Sequence, residues 1–238
     1  MLYLLRRKII LCFGCCFFLF HSFGQIVELN QPDHDEKPYH FGINLGYNKS
    51  HFSFSYNPRF LQYDSILSVE SINSAGINLA WLVSFRLGDH FSLRTHPLDL
   101  TFSEKAFLYS EKYTGHPTVA TEKKVQAILL SFPVDMEFSS ERINNFKVYV
   151  IGGAKFDYDL ASNTGAQKAE ELIKLKKTDL SLDIGFGFHF YFPYFVLSPE
   201  LKLSSGITNV HNRDVNLRYS NVLDKINSRM ISFSFTVE

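Results

Sequence analysis

The 238-residue chain carries nine histidines, so the first question is whether any of them stands in a spacing that does chemistry. His34-Asp35-Glu36 is the densest group of metal-ligand types, but it lies in a tract of Pro, Asp, Glu and Lys that reads as a solvated segment. Asp183 and His189 share one face of an alternating run. Six residues of extended chain put them ~20 Å apart, too far for a dyad within that strand. A serine from a neighbouring strand could join them, as in outer-membrane hydrolases, but no signature demands it. Gly152-Gly153 resembles the start of a phosphate loop, yet it sits inside an alternating run with no helix after it. Glycine there marks a bend or close packing. No basic and aromatic stripe suggests nucleic acid. The residues therefore name no catalytic group, no metal site, no cofactor and no small-molecule substrate.

The charges have an order of a different kind. In LSLDIGFGFHFYFPYF (180–195), one set of alternate positions is Leu180, Leu182, Ile184, Phe186, Phe188, Phe190 and Phe192, and the other is small or polar. Seven further stretches alternate in the same way: 41–48, 76–87, 91–102, 125–138, 146–158, 195–207 and 230–237. Collected over all of them, the face opposite the oily one carries Arg86, Arg94, Asp99, Asp135, Glu137, Lys147, Lys155, Asp157, Asp183, His189, Glu200 and Lys202, with many Gly and Ser.

Most of these runs are 10–14 residues long, where soluble strands average about 5–6 and tilted bilayer-spanning strands need about 9–11. The connections at 49–75, 103–124, 159–179 and 208–229 are long, and those at 88–90, 139–145 and 193–194 are short. In an up-and-down sheet the two kinds fall at opposite ends, the asymmetry of outer-membrane barrels. Aromatic residues cluster at run ends, as in an interfacial girdle: Tyr39, Tyr47, Phe91, Phe138, Phe146, Tyr158, Phe192, Tyr194 and Phe195. The expectation is all-β: an eight-stranded antiparallel up-and-down transmembrane barrel, with the oily face on lipid and the charges in the lumen. An eight-stranded interior is just filled by its own side chains, so the charges are expected to pair into a plug. His96-Pro97 breaks the alternation and predicts a bulge. Segment 166–177 has helix formers and reads as a short helix within a long loop.

The N-terminus sets the compartment. Arg6, Arg7 and Lys8 precede the apolar run 9–20, and Ser22-Phe23-Gly24 follows. This reads as a signal peptide over 1–24, then a flexible periplasmic leader over 25–38, then the barrel over 39–238. Cys12, Cys15 and Cys16 all lie in the signal, so the exported chain would hold no disulfide. It would carry 21 basic against 24 acidic residues, a net charge of −3. Both termini would be periplasmic and the protein would reside in the outer membrane, against outer-membrane lipid.

Three blocks resemble a known family: ERINNFKVYVIGGAKFDYDLAS (141–162), LDIGFGFHFYFPYFVLSPELKLSSG (182–206) and NSRMISFSFTVE (227–238). They are similar to PorT, the outer-membrane protein associated with type IX secretion and gliding motility in Bacteroidetes. The segment LRTHPLDLTFSEKAFLYS (93–110) departs from the Pro-Gly-Leu-Ser-Phe type of run more usual there. The resemblance implies a non-enzymatic role in exporting cargo with C-terminal signals, with other type IX secretion components as partners. It brings no catalytic residues. With a plugged lumen, partners would meet loops, turns or the lipid-facing wall. The turn Arg142, Ile143, Asn144 and Asn145 is the candidate periplasmic docking site, with Arg142 exposed beside it. A generic small barrel (an adhesin, a structural protein or a minor porin) and a barrel enzyme are the alternatives.

Overall fold

The computed structural model describes residues 28–60, 66–111, 119–161, 175–212 and 218–238. The expected signal peptide over 1–24 with its cysteines, and 166–174 of the expected loop helix, lie outside the described residues. The strands are β1 (Tyr39–Tyr56), β2 (Ile66–Ile72), β3 (Ser74–Arg86), β4 (Phe91–Glu111), β5 (Val119–Ser139), β6 (Phe146–Asp159), β7 (Thr178–Tyr191), β8 (Val196–Gly206) and β9 (Leu223–Val237). A four-residue helix, α1 (Arg218–Asn221), precedes β9.

All pairings are antiparallel: β1 pairs with β3, β2 and β3 with β4, each strand from β4 to β8 with the next, and β9 back to β1. β2 and β3 follow one another along β4, parted by Asn73 alone, so they act as one interrupted strand. The pairings close into a ring of eight. Closure satisfies the backbone of every spanning strand inside the sheet, which is what hydrocarbon requires.

The direction of each side chain answers which face is outside. On β1, Tyr39, Phe41, Ile43, Leu45 and Tyr47 are exposed while Asn44 and Asn48 are buried. On β7, Leu180, Leu182, Ile184, Phe186 and Phe190 are exposed while Asp183 and His189 are buried. From Tyr39 to Tyr47 is eight steps of ~3.3 Å, which at a tilt of ~40° rise ~20 Å, close to the apolar band of a small outer-membrane barrel. The oily face points outward.

Register breaks fall between Trp81 and Val83 and between Thr95 and Asp99, on either side of His96-Pro97. The bulge lies where the alternation slips. It also explains Pro133: the residue pairs with Lys155 on one side and faces the unpaired bulge on the other, so its missing N–H removes no ladder bond. Pro199 uses the gap between β7 and β8 in the same way.

The strands run further than the oily alternation does, which corrects the expected loops. The expected long connections at 49–75, 103–124 and 208–229 contain strand: β1 continues to Tyr56, β2 occupies 66–72, β4 continues to Glu111, β5 starts at Val119 and β9 starts at Leu223. Above the membrane band the inward face turns apolar. Phe52, Ile66, Val69, Phe107, Tyr109, Val222, Leu223 and Ile226 are buried together with Leu175 and Val210 in one cluster. Phe52 and Phe107 stack with centroids 5.1 Å apart. Water replaces lipid outside, so the side-chain polarity inverts while the strands carry on. The loop end of the lumen is closed by this apolar cap.

Candidate functional site

The lumen is the first candidate. Arg94 on β4 donates from Nη1 to Glu200 Oε2 on β8 (2.8 Å) and to Glu137 Oε2 on β5 (3.1 Å). Its guanidinium also lies 5.1 Å from the Tyr149 ring centroid, and the Tyr149 hydroxyl donates to the same Glu200 oxygen at 2.9 Å. Gly187 makes room for that ring, because a Cβ there would meet the Tyr149 Cζ and hydroxyl. Lys202 pairs with Asp135 (2.7 Å) and Glu200 (3.6 Å). Lys155 pairs with Asp157 (3.2 Å), which also accepts from Ser131 Oγ at 2.5 Å. Asp99 accepts from Thr101 at 3.3 Å and faces His96 at 3.7 Å. Asp183 is buried beside a void of about 30 Å³ that it lines with His96, Asp99, Lys155 and Lys202. Such a space holds about one water.

Two residues grouped with this network stand at its periplasmic mouth. Arg86 pairs with Asp89 at 2.7 Å within the β3–β4 turn and lines the mouth cavity with Glu137 and His189. It is the last residue of β3, so its long side chain reaches the turn carboxylate rather than the axis. Lys147 stands at the end with the short turns, which is the periplasmic end in this class of barrel, and pairs with Asp35 at 3.4 Å.

His189 finds different partners from Asp183. Its Nδ1 is 2.7 Å from Ser198 Oγ and its Nε2 is 3.3 Å from Glu137 Oε1. That is the order of a serine–histidine–carboxylate array, and the distances to the histidine are short enough. Access is absent, however: Ser198 is 0% exposed, and Glu137 is already held by Arg94. A nucleophile needs room for an acyl group beside it, and Ser198 has none. The array is a buried link of the plug.

The second candidate is the periplasmic mouth, which only partly follows the expectation. Asn144 takes φ 56°, a left-handed turn conformation that Asn tolerates. Arg142 was expected to be exposed, but its side chain is only 9% exposed. Its guanidinium lies 3.6 Å from the Tyr191 ring centroid and bonds to Asp35 Oδ2 (3.2 Å), to the carbonyls of Gln31 (3.2 Å) and Asn30, and to Asn145 Oδ1 (3.0 Å). Ile143, at 69% exposure, is the apolar residue of the turn that faces solvent, beside the exposed Asn144.

The leader, expected to be flexible, is folded against the mouth where it is described. It makes a single 3-10 turn, Pro32–Glu36. Asn145 Nδ2 donates to the Glu28 carbonyl, Asn30 Nδ2 to the Tyr191 carbonyl and Gln31 Nε2 to the Phe192 carbonyl, at 2.8–2.9 Å. One strand of chain thus ties the β5–β6 turn to the β7–β8 turn. Asp35 meets Tyr191 Oη at 2.8 Å as well as Arg142 and Lys147. Burial pulls its carboxyl up, but the Tyr191 hydroxyl and the two cations outweigh this and leave it below the ordinary carboxylate range. His34 stacks on His40 at 4.2 Å, and burial, helped by His40, pulls it down to about 4.

The sequence reading missed Tyr149, Ser198 and Tyr191, and set Asp35 aside as part of a solvated segment. Tyr149 shares the inward parity of Lys147 and Lys155, which is the signal that could have found it. Asp35 offered no such signal, since no strand phase extends into the leader. Among the described residues no group of three or more His, Cys, Asp or Glu could hold a metal ion.

The sequence profile described as "Outer membrane protein beta-barrel domain" matches residues 23–212. No curated protein matches the chain. Similar solved structures include Neisserial surface protein A, at 12% identity and TM-score 0.42, covering 84% of this chain and 99% of that one. Ail, the attachment invasion locus protein of Yersinia pestis, solved with the heparin analogue sucrose octasulfate, is 16% identical with TM-score 0.37, covering 83% and 96%. OprG from Pseudomonas aeruginosa is 12% identical with TM-score 0.37, covering 82% and 93%.

Proposed function

Because this chain belongs to the outer membrane protein beta-barrel domain family and resides in the outer membrane, we propose that it is a non-enzymatic component of type IX secretion, acting as an accessory or assembly factor and not as the conduit. The observation that carries this reading is the closure of the lumen by an apolar cap, a cross-lumen ion-pair layer and the folded-back leader. A polypeptide cannot pass such an interior. Function then falls to the turns, the loops and the outer wall. The similarity of 141–162, 182–206 and 227–238 to PorT supports the secretion assignment, and two of these blocks contain the periplasmic turns that the leader ties together.

Deleting the gene and measuring export of a cargo bearing the C-terminal signal tests the proposal. Export is expected to fail and to return with the intact gene. Normal export in the deletion strain overturns it. Ile143→Ser refines the test, since Ile143 is exposed and the change leaves Asn144 and the Arg142 contacts in place. Docking through the turn is expected to show as reduced export at an unchanged barrel level.

One observation favours a second reading as adhesin or structural protein. β1, β4, β5 and β9 extend beyond the oily band around a core of their own, which displays a folded surface outside the membrane. On that reading the deletion strain exports normally and attaches less well to surfaces.

A further inference from the structure

The leader grips the periplasmic mouth with polar groups and one ring. Pro32–Glu36 contributes no fully buried residue, and its His34 ring stacks on His40 and meets Tyr191 edge-on. Its charged contact is one carboxylate, received by three groups from two strands and a turn. Asp35 Oδ1 accepts from Tyr191 Oη (2.8 Å) and Lys147 Nζ (3.4 Å), and Oδ2 accepts from Arg142 Nη1 (3.2 Å). Arg142 is held in place independently of the leader, by Tyr191 beneath it, by Asn145 Oδ1, and by the Asn144 carbonyl on its Nε (2.8 Å). Among the described residues, Asp35 is the ion-pair partner of both Arg142 and Lys147. Lifting the leader would leave two positioned cations and a hydroxyl facing the periplasm without an anion. A preformed fork of this kind suits a carboxylate better than a point charge would.

We propose that Arg142, Lys147 and Tyr191 form a carboxylate-binding site, which Asp35 fills from the leader and which an acidic peptide segment of a periplasmic partner fills in exchange. The resident ligand defines the class of the incoming one: an extended segment with a central Asp or Glu, whose backbone carbonyls take the remaining Arg142 donors as Asn30 and Gln31 do. The proposal rests on the reading that partners are met at the periplasmic face. It goes further by naming the ligand chemistry and by making the leader its competitor. The covalently tethered leader has an effective concentration in the millimolar range, so an untethered segment binds weakly until the leader is loosened.

The test uses the full-length exported chain, refolded in detergent micelles, and a fluorescent synthetic peptide of residues 28–37 (ELNQPDHDEK) as the probe. Fluorescence anisotropy is expected to show weak binding to the unaltered protein and binding about tenfold tighter to Asp35→Asn, whose leader has lost the carboxylate that fills the site. A peptide carrying Asn in place of its own Asp35 is expected to bind that variant about tenfold more weakly. Adding Lys147→Gln is expected to lower the affinity again. Asn30→Ala, which loosens the leader and keeps Asp35, gives a second route to the same gain should Asp35→Asn fail to fold; the heat-dependent gel shift of the barrel reports folding in each case. Equal binding to the unaltered and loosened proteins, or equal binding of the Asp and Asn peptides, overturns the site. Secretion is not read in this experiment, so a carboxylate site that binds as described in a strain with normal export would overturn the secretion role alone.

Discussion

Arg94 and Glu200 meet at 2.8 Å although β4 and β8 stand opposite each other in the ring of eight. The pair therefore crosses the lumen instead of lining it. Both side chains are almost fully buried, and Glu137, Lys202 and Tyr149 extend the contact around the wall. Charges so removed from water persist only when every partner is present.

Removing one partner is accordingly expected to cost more than removing both. Arg94→Met leaves Glu200 and Glu137 buried beside too little positive charge, at about 3–5 kcal/mol. Arg94→Met with Glu200→Met removes the cross-lumen charge together and is expected to be less destabilised than Arg94→Met alone, since Lys202 keeps Asp135 and Glu137 keeps His189. Urea unfolding in lipid vesicles, followed by Trp81 fluorescence, measures both. A double variant as unstable as the sum of its singles would refute the coupling.

The buried Ser198–His189–Glu137 array makes a separate claim. A fluorophosphonate reagent is expected to leave the folded protein unlabelled, because Ser198 has no exposed surface. Labelling that disappears in Ser198→Ala would show an accessible nucleophile and contradict the non-enzymatic reading.

The leader is expected to loosen in acid. His34 is held neutral, with a docked pKa of about 4 against an ordinary value of 6.5, so docking is complete above about 6.5 and weakens as pH falls toward 4. Asp35 adds in the same direction: its lowered pKa means that its contribution is present above the ordinary carboxylate value and is lost as pH falls further. His34 faces His40, Asp35, Lys37, His189, Tyr191 and, at 3.9 Å, Glu238. Of these, Asp35 and Glu238 favour a protonated His34, while burial and the cationic neighbours outweigh them. A spin label at Asp33→Cys is expected to gain mobility between pH 6.5 and 4. Unchanged mobility across that range would contradict a docked His34.

The membrane-spanning part of the fold was legible because lipid imposes one rule on every strand. Ile43 and Leu45 must face outward, Asn44 must then face inward, and the same parity carries Arg94 and Asp135 to the axis. The rule ends with the lipid. Phe107 and Tyr109 keep the inward phase of Ser103 and Lys105 but reverse its polarity, so an oily-out pattern cannot find them and the strands seem to stop. The mouth was obscured for another reason. Arg142 reads as an exposed turn cation because the carbonyls of Asn30 and Gln31 that bury it lie more than a hundred residues earlier and carry no periodic signal. Arg86 shows the converse: its parity pointed inward, and a neighbouring Asp89 holds it at the mouth.

Single-channel recording of the purified protein in a planar bilayer tests the closed lumen most directly. The cap of Phe52 and Phe107, the Arg94–Glu200 crossing and the docked leader lie in series, so the bilayer is expected to show no sustained conductance at neutral pH. Large, long-lived openings in the folded protein would contradict the account, because no water-filled path through these layers could then be absent.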